Sequence, residues 1–292
     1  MRKFAITLCV CAIAGAGAFW VLTRPAVLPD AVAVGHAVDT ENGALVFAAA
    51  GCSSCHAAPA SEDKTILSGG YAIESPFGTF YAPNISTSAE GIDGWNLPEF
   101  SRALRQGVSP EGRHYYPAFP YTAYARMTDT DVADLFGFMT TLPADPTPSL
   151  AHEVSFPFNI TRGIGLWKHL YLTDAPVLEG DLSAELLRGR YLVEGLSHCG
   201  ECHTARDAVG GLDVSVWLES APNPSGKGRI PALTPSNLDW SQSDIAAYLR
   251  TGFTPDYDSV GGSMAAVVSN LAKLPESDTN AIAAYLKALP TR

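Results

Sequence analysis

Residues 51–56 read GCSSCH and residues 198–203 read HCGECH. A Cys-x-x-Cys-His unit that occurs twice constrains the chain more than any bulk property, because it demands the same local geometry at two places. The surroundings match as well. Cys52 and Cys199 stand 147 residues apart, as do Pro143 and Pro290, while Trp95 and Trp240 stand 145 apart, as do Gly107 and Gly252. The stretch WNLPEFSRALRQGVSPEG has its counterpart in WSQSDIAAYLRTGFTPDY. Self-similarity at a nearly fixed offset marks an internal duplication.

Each copy opens and closes in a helical pattern. In DTENGALVFAAAGC, Asp39 or Thr40 is the N-cap candidate, and Leu45, Val46 and Ala49 share a face. In LSAELLRGRYLVEGLSHC, Ser183 is the N-cap candidate, with Leu186, Leu187, Tyr191 and Leu192 at helical spacing. The closing helices run from a Thr128/Asp129 cap to Pro143 and from near Ser277 to Pro290, with acidic first turns that suit the helix dipole and a proline as terminator. The expected fold class is therefore all-α: two tandem domains at 39–145 and 181–292, joined by a proline-rich linker at 146–180 in which residues 163–172 form a short helix.

The N-terminus adds a different signal. After Arg2 and Lys3, residues 4–22 form an uncharged run of 19 residues, close to the roughly 20 that a membrane-spanning helix needs. A secretory signal has a shorter apolar core of about 7–15 residues and a small-residue cleavage site. Ala14–Ala18 contains such small residues, but the run continues through Trp20 and Leu22. The expectation for 1–24 is an uncleaved anchor, with a cleaved signal as the alternative. Arg2 and Lys3 keep the N-terminus cytoplasmic, which puts the remainder on the outer, periplasmic side. Cys9 and Cys11 fall inside this run and read as small apolar residues, so no cysteine pair is left for a structural disulfide. The net charge of −11 argues against nucleic acid as a partner, since phosphate binding needs a basic footprint, and suits a partner with a basic patch.

Cys-x-x-Cys-His is the attachment pattern of haem c: two cysteines reach the two vinyl groups of one porphyrin, and the histidine lies under the iron. A zinc site needs four ligands, one more than each motif supplies, and a thioredoxin-type motif needs a βαβ context. Two covalently bound haem c groups are thus expected, on Cys52 and Cys55 with His56, and on Cys199 and Cys202 with His203. For the opposite side of the iron, methionine suits electron transfer and an open position allows chemistry. The candidates are few. Met264, in the glycine-rich stretch DSVGGSMAAVV, is the expected ligand of the second iron. The repeat offset puts Phe119 where the first half would carry its methionine. Met127 is the expected substitute, with His114 or an open iron as alternatives; Met139 reads as core. His36, His114, His152, His169 and His198 read as surface or structural residues, with His198 placed to touch a porphyrin edge. Arg102, Arg105, Arg206, Trp95 and Trp240 are candidates for holding propionates, with a solvated face as the default for each.

Over residues 39–292 the chain resembles the di-haem cytochromes c related to the cytochrome subunits of bacterial membrane-bound alcohol and gluconate dehydrogenases. The marks are YYPAFPYTAYARMTDTDV, FPFNITRGIGLWKHLYL, RGRYLVEGLSHCGECHT and SMAAVVSNLAKLPESDTNAIAAYLKALP. The resemblance implies that the first-half methionine stands at the place of Phe119 or of Met127. The alcohol dehydrogenase subunits commonly hold three haems, so a chain with two motifs is a shorter relative. The implied function is one-electron transfer between a periplasmic dehydrogenase and a respiratory acceptor, at the periplasmic face of a bacterial cytoplasmic membrane or, after signal cleavage, in the soluble periplasm. The alternatives are a di-haem enzyme of peroxidase or thiosulfate-oxidising type and, more remotely, a haem sensor.

Overall fold

The uncharged N-terminal run forms α1 (Arg2–Leu22), a helix exposed along its whole length and long and apolar enough to cross a membrane. The structure, a computed structural model, describes residues 2–29, 31–59, 61–224, 226 and 228–291. In the first half, Asp39 accepts the amides of Glu41 and Asn42 and starts α2 (Thr40–Ala49). Next come α3 (Cys52–His56) and α4 (Leu97–Gln106), the latter opened by a capping box between Asn96 and Glu99. α5 (Tyr121–Tyr124) precedes α6 (Asp129–Met139), whose cap is the Thr128 hydroxyl. The crossing segment holds α7 (Ile164–Tyr171). The second half repeats this order: α8 (Ala184–Arg190), capped by Ser183 and continued by a π-helical turn (Tyr191–Leu196), then α9 (Gly200–His203), α10 (Gln242–Thr251), α11 (Met264–Leu271) and α12 (Glu276–Ala288). Each cap takes up amides that the first helical turn leaves without partners.

The helix pairs α2/α6 and α8/α12 cross at matching glycines. A Cβ built on Gly43 would lie 2.1 Å from the Asp134 carbonyl oxygen, and one on Gly189 would lie 2.1 Å from that of Ala281. Only hydrogen fits at either crossing, so both helices approach backbone to backbone. Val46, Phe47, Val132 and Leu135 from the first pair and Leu192, Ile282, Tyr285 and Leu286 from the second belong to one continuous buried cluster.

The fold is mostly helical rather than all-α. β1 (Ala72–Ser75) and β2 (Gly78–Tyr81) form an antiparallel hairpin, and β3 (Glu153–Val154) of the crossing segment adds to β2. β4 (Ala221–Pro222) pairs with β5 (Arg229–Ile230). Strands of two to four residues are too short for a period-two pattern to stand out, which is why the sequence does not announce them. β3 also shows that the crossing segment is built into the first half's sheet instead of spanning freely.

Candidate cofactor site

Each cysteine motif begins with a left-handed residue that swings the chain into a single helical turn. In the first half this is Gly51, φ 63°. In the second, 147 residues on, it is His198, φ 38°, a conformation in which a side chain clashes with its own backbone. On α3 the spacing puts Cys52, Cys55 and His56 on one side of the turn. Cys199, Cys202 and His203 repeat the arrangement at α9. All six cysteines are free thiols.

The two imidazoles are held alike. His56 Nδ1 lies 2.8 Å from the Pro83 carbonyl, and His203 Nδ1 lies 2.8 Å from that of Pro231. A carbonyl only accepts, so Nδ1 carries the proton and Nε2 keeps its lone pair. Burial lowers both rings' pKa, against the opposing pull of those carbonyls, and favours the neutral form. An oriented, neutral imidazole with Nε2 free is the state a metal ligand requires.

The structure brings the two motifs together. The Ala50 carbonyl, two residues before Cys52, accepts from Tyr124 Oη at 2.9 Å and from His198 Nε2 at 3.2 Å. Burial raises the Cys55 thiol's pKa, and the neighbouring charge of Cys202 raises it further. Ser54 Oγ accepts from Asn270 Nδ2 of α11 at 2.9 Å, while Glu201 Oε1 accepts from Thr122 Oγ1 of α5 at 3.1 Å. Ser54 and Glu201 are equivalent positions of the repeat, so the contact is reciprocal, as across a two-fold axis. The His198 ring, expected at a porphyrin edge, rests edge-on against Tyr124, centroids 5.7 Å apart, and so bridges to the other half.

One buried polar cluster near the second motif was not anticipated. Glu194, on the π turn just before the second motif, is buried. Its carboxylate accepts from the Val177 amide at 2.7 Å, the Leu178 amide at 2.9 Å and Tyr285 Oη at 2.7 Å, with Arg126 Nε at 3.8 Å. Trp217 Nε1 donates to the same Tyr285 hydroxyl, and the Trp217 ring packs so closely on Gly200 that a Cβ there would lie 2.2 Å away. The available signal was the repeat itself: the position equivalent to Glu194 is the apolar Phe47.

The methionines separate. Met264 is the first residue of α11 instead of lying in a loop, and is half-buried at the edge of the core. Met127 is buried in the turn before α6, and at the 147-residue offset its counterpart is Leu274, itself a core residue. Met139 is core. His114 bonds through both ring nitrogens, to the Thr23 carbonyl and to Lys168 Nζ, which removes it as a ligand candidate. His36 bonds to Asp134, His152 to the Tyr81 amide and His169 to the Leu22 carbonyl. Arg105 and Arg206 are engaged by Asp129 and Glu201. Trp95 and Trp240 pack on the core.

Haem fits this donor set. Among the described residues no three His, Cys, Asp or Glu side chains converge as a metal site of their own, whereas each turn presents two free thiols and one oriented imidazole. Arg102 Nε, Tyr121 Oη and Ser197 Oγ are buried without protein partners. Ser197 lies two residues before Cys199, and such groups suit an acidic substituent of a bound cofactor.

Comparison with known proteins gives the same direction. Residues 40–143 match the cytochrome c family. Over 292 residues the chain is 50% identical to a protein of Cereibacter sphaeroides described as diheme cytochrome c-type, covering 99% of this chain and 98% of that one. It is 37% identical to the fructose dehydrogenase cytochrome subunit of Gluconobacter japonicus, over 88% of this chain and 54% of the relative, and 33% identical to the alcohol dehydrogenase (quinone) cytochrome c subunit of Gluconobacter oxydans, over 87% and 56%. The chain thus spans nearly all of the first relative and about half of the dehydrogenase subunits.

Proposed function

Because this chain belongs to the di-haem c-type cytochromes and has cytochrome subunits of dehydrogenases among its relatives, we propose that it carries electrons singly between a periplasmic dehydrogenase and a respiratory acceptor. Two cytochrome c domains, at 39–145 and 181–292, would each attach one haem c, with residues 146–180 joining them and 1–24 anchoring them at the periplasmic face of a cytoplasmic membrane. Cys52 and Cys55 would form the thioethers of the first haem and Cys199 and Cys202 those of the second. His56 and His203 would be the proximal ligands, and Met264 the distal ligand of the second iron.

Bound haem supplies a ferric–ferrous couple whose potential follows axial ligation, burial and nearby charge. The protein's share is to bind, orient and shield. The Pro83 and Pro231 carbonyls hold the proximal rings in one tautomer. Buried helix crossings exclude water behind each motif. The Ala50–His198 contact keeps the two attachment turns adjacent, and this is the observation that carries the reading: two attachment sites built face to face suit passage of an electron from one to the other. The relatives' descriptions give no support to the enzyme alternative.

For the first iron, Met127 is the proposed distal ligand, since Met139, the other methionine of this half, lies within α6 in the core. A second reading, an open first iron, is favoured by the register of Met127 with Leu274. Carbon monoxide added to the ferrous protein separates them: no binding, with binding appearing in Met127→Ala, supports ligation, and prompt binding to the unaltered protein supports the open iron. The function itself is tested by haem content after maturation. Two haem c per polypeptide are expected; one or none overturns the proposal.

A further inference from the structure

The crossing segment grips the end of α1. Arg162 Nε donates to Thr23 Oγ1 at 2.8 Å, and its terminal nitrogen donates to the Trp20 carbonyl at 2.9 Å, with the guanidinium 4.2 Å above the Trp20 ring. His169 Nε2 donates to the Leu22 carbonyl at 2.7 Å and His114 Nε2 to the Thr23 carbonyl at 3.0 Å. Thr23 is fully buried, and a Cβ on Gly165 would fall 2.6 Å from its Cα. The last carbonyls of α1, which a helix leaves without partners, are therefore taken by side chains of the folded body. That fixes the helix to the body where the two meet.

Beside this grip the same segment turns apolar side chains to solvent. Phe156 is 77% exposed and Leu170 73%, with Phe158, Ile160 and Leu166 also exposed. Leu166 and Leu170 lie one turn apart on α7, and Leu166 follows the glycine that touches Thr23, so the patch is continuous with the exit of α1. Residues 156–171, FPFNITRGIGLWKHLY, contain no Asp or Glu, in a chain whose net charge is −11; Lys168 is buried, and Arg162 and His169 are the basic groups at the rim of the patch, where they hold α1. Exposed apolar and aromatic side chains without acids, beside the exit of an apolar helix, are the make-up of a surface that lies in a lipid interface.

We propose that this face of the crossing segment is seated in the outer leaflet of the bilayer that α1 enters, a second, non-spanning membrane contact made by the segment that joins the halves. The inference rests on reading α1 as a membrane span. The occupant is lipid because the patch adjoins a helix exposed along its entire length and carries the charge balance that tolerates phospholipid headgroups. With two contacts rigidly joined, the haem-attachment turns stand at a set height and tilt over the membrane.

The test uses the full-length, haem-loaded chain in phosphatidylcholine vesicles containing a phospholipid with a photoactivatable diazirine on its acyl chain, followed by peptide mapping. Label is expected both within 4–22 and within 156–170, and Phe158→Gln combined with Leu170→Gln should lower the second signal several-fold while leaving the first, and the haem spectrum, unchanged. Label confined to 4–22 overturns the proposal and leaves the span reading standing. Label in neither segment overturns both.

Discussion

His198 stands in the left-handed region at the position where the first half has Gly51, and its ring donates to Ala50. Such a conformation for a residue with a Cβ is held by its contacts. Replacing His198 by Ala keeps the strain and removes the bond, so a loss of about 0.5–1.5 kcal/mol is expected in denaturant unfolding. His198→Gly, which relieves the strain, should lose less. Glu194 makes a sharper case, because all its close partners on the backbone are donors. Glu194→Gln turns an amide toward a donor and should destabilise by about 1–3 kcal/mol, and removal of the buried negative charge should raise the potential of the nearer haem in a redox titration. Asp134 adds a pH dependence. Burial pushes its carboxyl upward, but hydrogen bonds from the Asp39 amide, Asn42 and His36 outweigh this and leave it below its usual 3.8. Between the folded and unfolded values the unfolded chain binds more protons, so this contribution is complete above about pH 4 and is lost as pH falls through the depressed value. Acid titration of the unfolding free energy should show that loss, and Asp134→Asn should lack it.

At the scale of the element, the α2/α6 and α8/α12 crossings admit no methyl group. Gly43→Ala and Gly189→Ala should each destabilise by about 1–3 kcal/mol through overpacking, whereas Gly163→Ala, which meets nothing within 4 Å, should not. Equal penalties at both crossings would show that the repeat is mechanical as well as textual. α7 is fastened by Lys168, whose Nζ donates to the Gln106 and Gly107 carbonyls at the end of α4 and whose pKa burial pushes down to about 7 from 10.5. The unfolded chain holds the extra proton between these values, so stability should rise with pH from about 7 to about 10.5. Lys168→Met should flatten that slope. The helices were legible because their caps and apolar spacing are local. The strands were not, because runs of two to four residues show no period, and neither was the π turn after α8, where Glu194 takes up amides of the distant linker.

For the whole molecule, the buried cluster runs through both halves without a break, and the Ser54–Asn270 and Thr122–Glu201 bonds cross between them reciprocally. A chain built from two such units would be expected to melt in two steps. The shared core predicts one cooperative transition instead, with calorimetry and far-ultraviolet dichroism giving the same midpoint. Two resolved transitions in the unaltered protein would show that the halves are independent.

Covalent pattern and local propensity are properties of neighbours along the chain, and these the sequence determined unaided: two Cys-x-x-Cys-His motifs, a repeated order of helices, their caps and an apolar first segment. What lay beyond it were relations between residues far apart. That the two motifs meet at Ala50, that the Glu194 carboxylate is buried beside the second of them, and that the joining segment clasps the end of α1 all depend on how the halves dock. Docking is decided by the summed packing of surfaces whose members no spacing rule connects, so only the tertiary structure could decide it.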